Sequence, residues 1–197
     1  MTVPRPPPDL SRRQPVFAVL PAGSIVHRFH SAAYEAIFFD RSRDSRFNSP
    51  DGSYGVLYTA EARTGAFAET FLRDPGQTVL PADLLARKAY TGLTVTRALR
   101  LIRLTGPGLA RLGATAEVAH GGLPYDIPQI WSAALHAHPA APDGIAYTAR
   151  HDDESLCYAL FDREPPLVAA FGRETNLDQD WFWTIAETYG VRLAPPP

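Results

Sequence analysis

Two arginines, two aromatic rings and one carboxylate, spread between Ile25 and Leu72, are the residue types from which this chain could build a chemistry. The segment I-V-H-R-F-H carries Arg28 and Phe29, R-F-N carries Arg46, G-V-L-Y-T-A carries Tyr58, and A-F-A-E-T-F-L carries Glu69. A guanidinium is a planar fork that fits phosphate oxygens and keeps its charge at any working pH. Aromatic rings stack on planar heterocycles. A half-buried carboxylate stabilises a developing cation. Together they could hold a dinucleotide and break a glycosidic bond.

Each residue also has a plainer reading. Strand alternation puts Val26 and His30 on the side of Arg28, which could be an ordinary exposed strand arginine. Arg46 could be a solvated loop charge, since Arg41 and Arg43 stand nearby. Most glutamates lie on helix surfaces, but Glu69 falls at the edge of an apolar stripe, between Phe67 and Phe71. Phe29 and Tyr58 could sandwich a base, or could pack in the core.

The elements that must position these residues follow from pattern. Met1 to Gln14 reads as a flexible, proline-rich arm, leaving 15–197 as one domain. Ser24 to His30 reads as a strand, Asp40 to Gly55 as a polar loop, and Val56 to Ala60 as a short strand. A helix is expected over Glu61 to Arg73, with Ala62, Ala66, Phe67, Thr70 and Phe71 as its buried stripe and Asp74-Pro75-Gly76 as its stop. Arg97 to Leu104 is arginine-spaced like a helix but bounded like a strand, and strand is favoured. Pro107 to Leu112 suggests a helical turn. A helix is expected to begin near Asp126 and end before Pro139. Gly144 to Ala149 and Leu156 to Phe161 read as paired strands, Leu167 to Phe171 as another. The last helix, Asp180 to Tyr189, has Gly190 where a cap belongs. Helices and short strands interleave without glycine-rich βαβ units, which points to α+β with a mostly antiparallel sheet. In the last helix Trp181, Phe182 and Trp183 are consecutive, about 100° apart, so they cannot share one narrow stripe. Phe182, Ile185, Ala186 and Tyr189 make the inward face. The two tryptophans then either fill a long groove in the core or anchor a second copy or a protein partner.

Composition narrows the field. At 197 residues, with 45% hydrophobic and 20% charged residues, the chain is an ordinary single-domain globular protein. Its net charge of −2 provides no footprint for direct nucleic-acid binding or for an anionic membrane. No apolar run is long enough to span a bilayer, and Pro4, Pro6, Pro7 and Pro8 stand where a signal peptide would have its apolar segment. A cytoplasmic location is expected. Cys157 is the only cysteine, which excludes an intrachain disulfide and a thiolate zinc cluster. Lys88 is the only lysine, so no G-K-[ST] phosphate loop exists. His136 and His138 are spaced to point apart on a helix, His151 to Glu154 reads as a solvated turn, and Gly121-Gly122 lacks the context of a dinucleotide fingerprint. No metal is implied.

At Arg28 in V-H-R-F, Arg46 in R-F-N, Tyr58 in V-L-Y-T-A, Glu69 in A-F-A-E-T, and D-G-I-A-Y-T-A-R followed by C-Y-A-L-F, the chain resembles the RES-domain toxins of RES–Xre toxin–antitoxin pairs. The resemblance covers about Ile25 to Phe171. It implies an ADP-ribosyltransferase-like fold of short, mostly antiparallel strands with surrounding helices. It also implies NAD as substrate with no resident cofactor, cleavage at the nicotinamide–ribose bond by glycohydrolase or phosphorylase action, and an Xre-type antitoxin partner; a homo-oligomer is a further option that the residues leave open. Protein-directed mono-ADP-ribosylation is the first alternative. By the same resemblance Glu69 and Arg28 are catalytic, and Arg28, Phe29, Arg46, Tyr58 and position 149 bind NAD. The family's eponymous serine falls at Ala149, so a weakened or inactive NAD-binding module is the second alternative.

Overall fold

In the computed structural model, which describes residues 3–74, 76 and 78–194, sixteen strands and helices follow a 3-10 turn at Leu10–Arg12. They run β1 (Phe17–Leu20), β2 (Ile25–Ser31), β3 (Val56–Ala60), α1 (Arg63–Phe71), β4 (Val79–Leu80), α2 (Ala82–Ala86), β5 (Lys88–Val95) and β6 (Leu99–Arg103). There follow α3 (Pro107–Leu112), α4 (Glu117–His120), α5 (Asp126–His136), β7 (Gly144–Ala149), β8 (Asp152–Phe161), β9 (Val168–Glu174), α6 (Asp180–Thr188) and β10 (Arg192–Leu193). Eight strands form one sheet in the order β1-β6-β7-β8-β3-β2-β5-β9, and β10 pairs with β4 apart from it. Within the large sheet only β6 and β7 pair in parallel, and α3 to α5 fill the crossover that a parallel pair requires. The mixed, mostly antiparallel architecture is the one the sequence pattern predicts, and Arg97 to Leu104 does supply a strand.

The sheet is buried on both faces. Phe29, Val56, Tyr90, Ile102, Ile145, Cys157, Ala159 and Phe161 pack under the helices, against Phe67, Phe71, Trp131 and Phe182. The residues between them on the same strands, among them Val26, Leu57, Leu93, Leu101 and Leu160, form a second core. That second core joins Leu20 of β1 to Val168 of β9, strands at opposite ends of the order, so the sheet curls on itself. Burial on both sides removes the polar half of the alternation. That is why β5, K-A-Y-T-G-L-T-V, escapes a search for alternating strands.

Several expectations change in detail. Helix α1 is shorter than the predicted span: Ala62 is its cap and Leu72 ends it. Its buried face is Gly65, Ala66, Phe67, Ala68 and Phe71, whereas Thr70 turns to a cleft. Gly65 permits this seat, because a Cβ there would stand 3.0 Å from the Cβ of Ser155 on β8. The proline-rich segment is not a free arm over its described part. Leu10 is buried, and Trp131 Nε1 donates to the Pro4 carbonyl at 2.7 Å. An apolar side chain and a buried indole donor both gain a partner by this docking. Met1 and Thr2 of the arm, Pro75 of the expected helix stop and residues 195–197 of the expected domain lie outside the described residues. The expected solvated turn at His151 to Glu154 is tighter than predicted: Asp152 opens β8 and accepts hydrogen bonds from Ser155 Oγ at 2.5 Å and Tyr189 Oη at 2.6 Å. Gly190, at φ +66°, follows α6 in the left-handed conformation that glycine adopts most readily.

Candidate functional site

A cleft opens where the sheet comes apart. β2 is in register with β5 along its whole length, and β3 with β8, but β2 and β3 meet at a single pair, His27 and Ala60. Beyond that pair the strands diverge, and Val56 pairs instead with Asp40 from the preceding loop. The Tyr58 carbonyl therefore has no strand partner on that side, and Arg28 Nη1 donates to it at 2.9 Å. Arg28 shares its face with Val26 and His30, as strand alternation predicts, and its guanidinium stands in the split. Its Nε is buried with no partner. Burial lowers its pKa to about 10, against opposing pulls from Asp40 and Tyr58, so it remains charged at neutral pH.

The loop carrying Arg46 is held from three directions. Tyr58 Oη accepts from Phe47 N at 2.8 Å and donates to Asn48 Oδ1 at 3.0 Å. Asn48 Nδ2 donates to Asp40 Oδ2 at 2.8 Å. From α5, Gln129 Nε2 donates to the carbonyls of Arg43 and Ser45, and Ser132 Oγ donates to the Phe47 carbonyl at 2.6 Å. Tyr58 thus has two tasks, its ring lining the cleft and its hydroxyl fixing the loop. The burial that accompanies this pushes its pKa far up. Arg46 is held with its guanidinium 5.9 Å from the ring centroids of Phe47 and Tyr147, and its Nε too is buried and unpartnered. Two guanidinium groups brought into one cleft lining suit an anionic ligand.

Glu69 faces these arginines from the last turn of α1. Its Oε2 accepts from Tyr147 Oη at 3.2 Å and its Oε1 accepts from Arg150 N at 2.9 Å. One hydrogen bond comes from strand β7 and the other from the turn after it, which fixes both carboxylate oxygens. Tyr147 is driven strongly toward its neutral, donating form, first by burial and then by Glu69 itself. The cleft encloses about 300 Å³. That is the lower end of ligand pockets, enough to enclose part of a dinucleotide.

Arg28, Phe29, Arg46, Tyr58 and Glu69 all line this cleft. Phe29 is mainly core, at 7% exposure, with its ring against Phe71, Tyr90 and Trp181. Ala149 is displaced from the role expected of it: it is fully buried and is not part of the cleft lining. A register shift between Thr148 and Ala149 carries the chain into the turn, and Arg150 contributes its backbone N–H instead. Thr148 is engaged elsewhere, its hydroxyl 3.0 Å from His120 Nε2. Sequence reasoning missed His27, Asp40, Tyr125, Tyr147, Arg150 and His151 as lining residues. Tyr147 could have been found, since alternation puts it on the face of Ile145 and Ala149; the others depend on where loops cross. His136 stacks on Tyr54 at 4.0 Å, and His138 Nδ1 accepts from Ala140 N, so this pair serves packing and a turn. Among the described residues no group of three or more His, Cys, Asp or Glu could hold a metal ion, and no helix is long and apolar enough to cross a membrane.

The sequence model of the RES domain matches residues 24–183. No curated protein matches the chain. Among solved structures, a chain of the crystal structure of the M. tuberculosis MbcT–MbcA toxin–antitoxin complex aligns with a TM-score of 0.61 at 15% sequence identity. The alignment covers 79% of this chain and 85% of that one. At that identity the likeness speaks for the fold alone.

Proposed function

The chain belongs to the RES-domain family, and from that premise we propose that it is an NAD-consuming toxin that cleaves the nicotinamide–ribose bond and is restrained by an antitoxin protein. The observation that carries this reading is the Glu69 carboxylate, held at both oxygens by Tyr147 and Arg150 N and facing the same cleft as Arg28 and Arg46. Loss of nicotinamide breaks the glycosidic C–N bond, its electron pair leaving with the pyridine nitrogen. The ribosyl carbon is left cationic, like the oxocarbenium of glycosidases. A fixed carboxylate stabilises that charge without having to reorganise. The guanidinium groups of Arg28 and Arg46, both in the cleft lining, supply the charged donors that diphosphate oxygens need. Phe29 and Tyr58 supply aromatic surface for a base. Water or phosphate then takes the ribosyl group.

The Ala149 side chain is off the cleft lining, so this reading draws on no hydroxyl at that position. The test is nicotinamide release from NAD by the purified chain, with Glu69→Gln as control. Release by the parent together with free ADP-ribose or its phosphate supports the reading. Label appearing on protein instead would make the chain a protein ADP-ribosyltransferase. Binding of NAD without release would leave it a binding module.

A further inference from the structure

One wall of the cleft is built by a chain of polar contacts that the reaction outlined above does not use. His27 lines the cleft, and its Nδ1 lies 2.6 Å from Tyr90 Oη. Tyr90 Oη also accepts from Arg63 Nε at 3.0 Å. The Arg63 guanidinium is clamped between two rings, 4.7 Å from the Tyr90 centroid and 4.4 Å from that of Trp181 on α6. Trp181 is fixed in turn by its Nε1, which donates to Glu174 Oε2 at 3.1 Å.

Proton counting sets the direction of the Arg63 bond and leaves the Tyr90 proton available to His27. Arginine has only donors, so Tyr90 oxygen must accept from Arg63. The single Tyr90 proton is then free to point at His27 Nδ1, and a bond in that sense puts the ring's own proton on Nε2. Nε2 has no hydrogen-bond partner among the described residues. A second proton is disfavoured by burial and by the nearby Arg63 charge. The ring is also oriented, stacking on Tyr90 with an interplanar angle of 18°.

We propose that His27 is a substrate-positioning residue, held by Tyr90 and Arg63 as the Nε2–H tautomer so that it offers one uncharged donor to an uncharged oxygen of the ligand's nicotinamide riboside half. Charged phosphate oxygens are matched by the arginines; a neutral imidazole N–H suits a carboxamide or ribose hydroxyl oxygen. This rests on the NAD reading for the ligand but not for the tautomer.

The test has two arms. In the first, the ring nitrogens of the ligand-free, 15N-labelled full chain are observed by long-range 1H–15N NMR at pH 7. The expected pattern for His27 is a protonated Nε2 and an unprotonated Nδ1, turning into a tautomer mixture in Tyr90→Phe. In the second, NAD binding is titrated calorimetrically. His27→Phe is expected to weaken it about tenfold, His27→Gln, which keeps a neutral donor, to recover part of that loss, and Tyr90→Phe to weaken it less. A protonated Nδ1 in the parent, an unaltered tautomer in Tyr90→Phe, or unchanged NAD affinity in folded His27→Phe each overturns the proposal while the NAD reading stands. A parent that binds no NAD overturns that reading, and the ligand assignment with it.

Discussion

Glu69 and Arg28 are each tied to the backbone as well as to the cleft, so their substitutions should separate chemistry from folding. Glu69→Gln keeps the shape but loses the charge, and its amide offers one acceptor where Tyr147 and Arg150 N require two. Nicotinamide release should fall on the order of 10²-fold, the scale of losing one fixed electrostatic contribution to a transition state, with the fold intact by circular dichroism. A rate within a few-fold of the parent would remove Glu69 from the chemistry. Arg28→Ala should weaken NAD binding and also cost stability, about 1–3 kcal/mol, because the Tyr58 carbonyl loses its donor. Arg28→Lys should restore charge but only one prong of the fork, recovering part of the affinity. Calorimetric titration beside thermal melting reads both effects, and full recovery by lysine would show that a generic charge suffices.

The Arg46 loop is positioned by elements distant in sequence, β3 through Tyr58 and α5 through Gln129 and Ser132. Tyr58→Phe keeps the ring but leaves Phe47 N and Asn48 Oδ1 without their hydroxyl. We expect a stability loss of about 1 kcal/mol and faster amide exchange over residues 44–48. NAD affinity should fall because Arg46 is no longer held. Unchanged exchange would mean that α5 alone fixes the loop. Helix α6 answers the question raised by its three consecutive aromatics. Phe182 and Ala186 are fully buried, while Trp181 and Trp183 are partly buried against the same core. Trp183 Nε1 donates to Asp178 at 2.7 Å. Trp181 also touches Phe29 and Arg63, so Trp181→Ala should cost about 3 kcal/mol and leave the sedimentation coefficient unchanged. Loss of self-association without loss of stability would make it an interface anchor instead.

For the molecule as a whole, acid should be destabilising earlier than its carboxylates alone would make it. His27, His30 and His136 each titrate below the ordinary imidazole value, chiefly through burial, with Arg63, Arg28 and Arg173, and Arg163 respectively adding repulsion. The unfolded chain takes up these protons near pH 6.5 while the folded chain resists them. Their contribution is therefore complete above about pH 6.5 and is lost as pH falls below it. Denaturant titrations at pH 7.5 and 5.5 should give the lower unfolding free energy at pH 5.5. Equal values would show that these rings are protonated in the native state at little cost.

What the sequence determined by itself was local. Alternation placed Arg28 with Val26 and His30, a Val-Leu-Tyr-Thr-Ala run read directly as a strand, and Glu69 fell at the edge of a helical stripe because 3.6-residue periodicity leaves it there. The order of short motifs identified the family. Only the tertiary structure decided that β2 and β3 meet at one pair and then part, since register depends on partners far apart in the chain. From that split come the cleft, the Arg28–Tyr58 bond, and the role of Arg150, whose useful atom is a backbone N–H that no residue type advertises. The same holds for Ala149: its motif pointed to the site, but a register shift beside it leaves its side chain in the core.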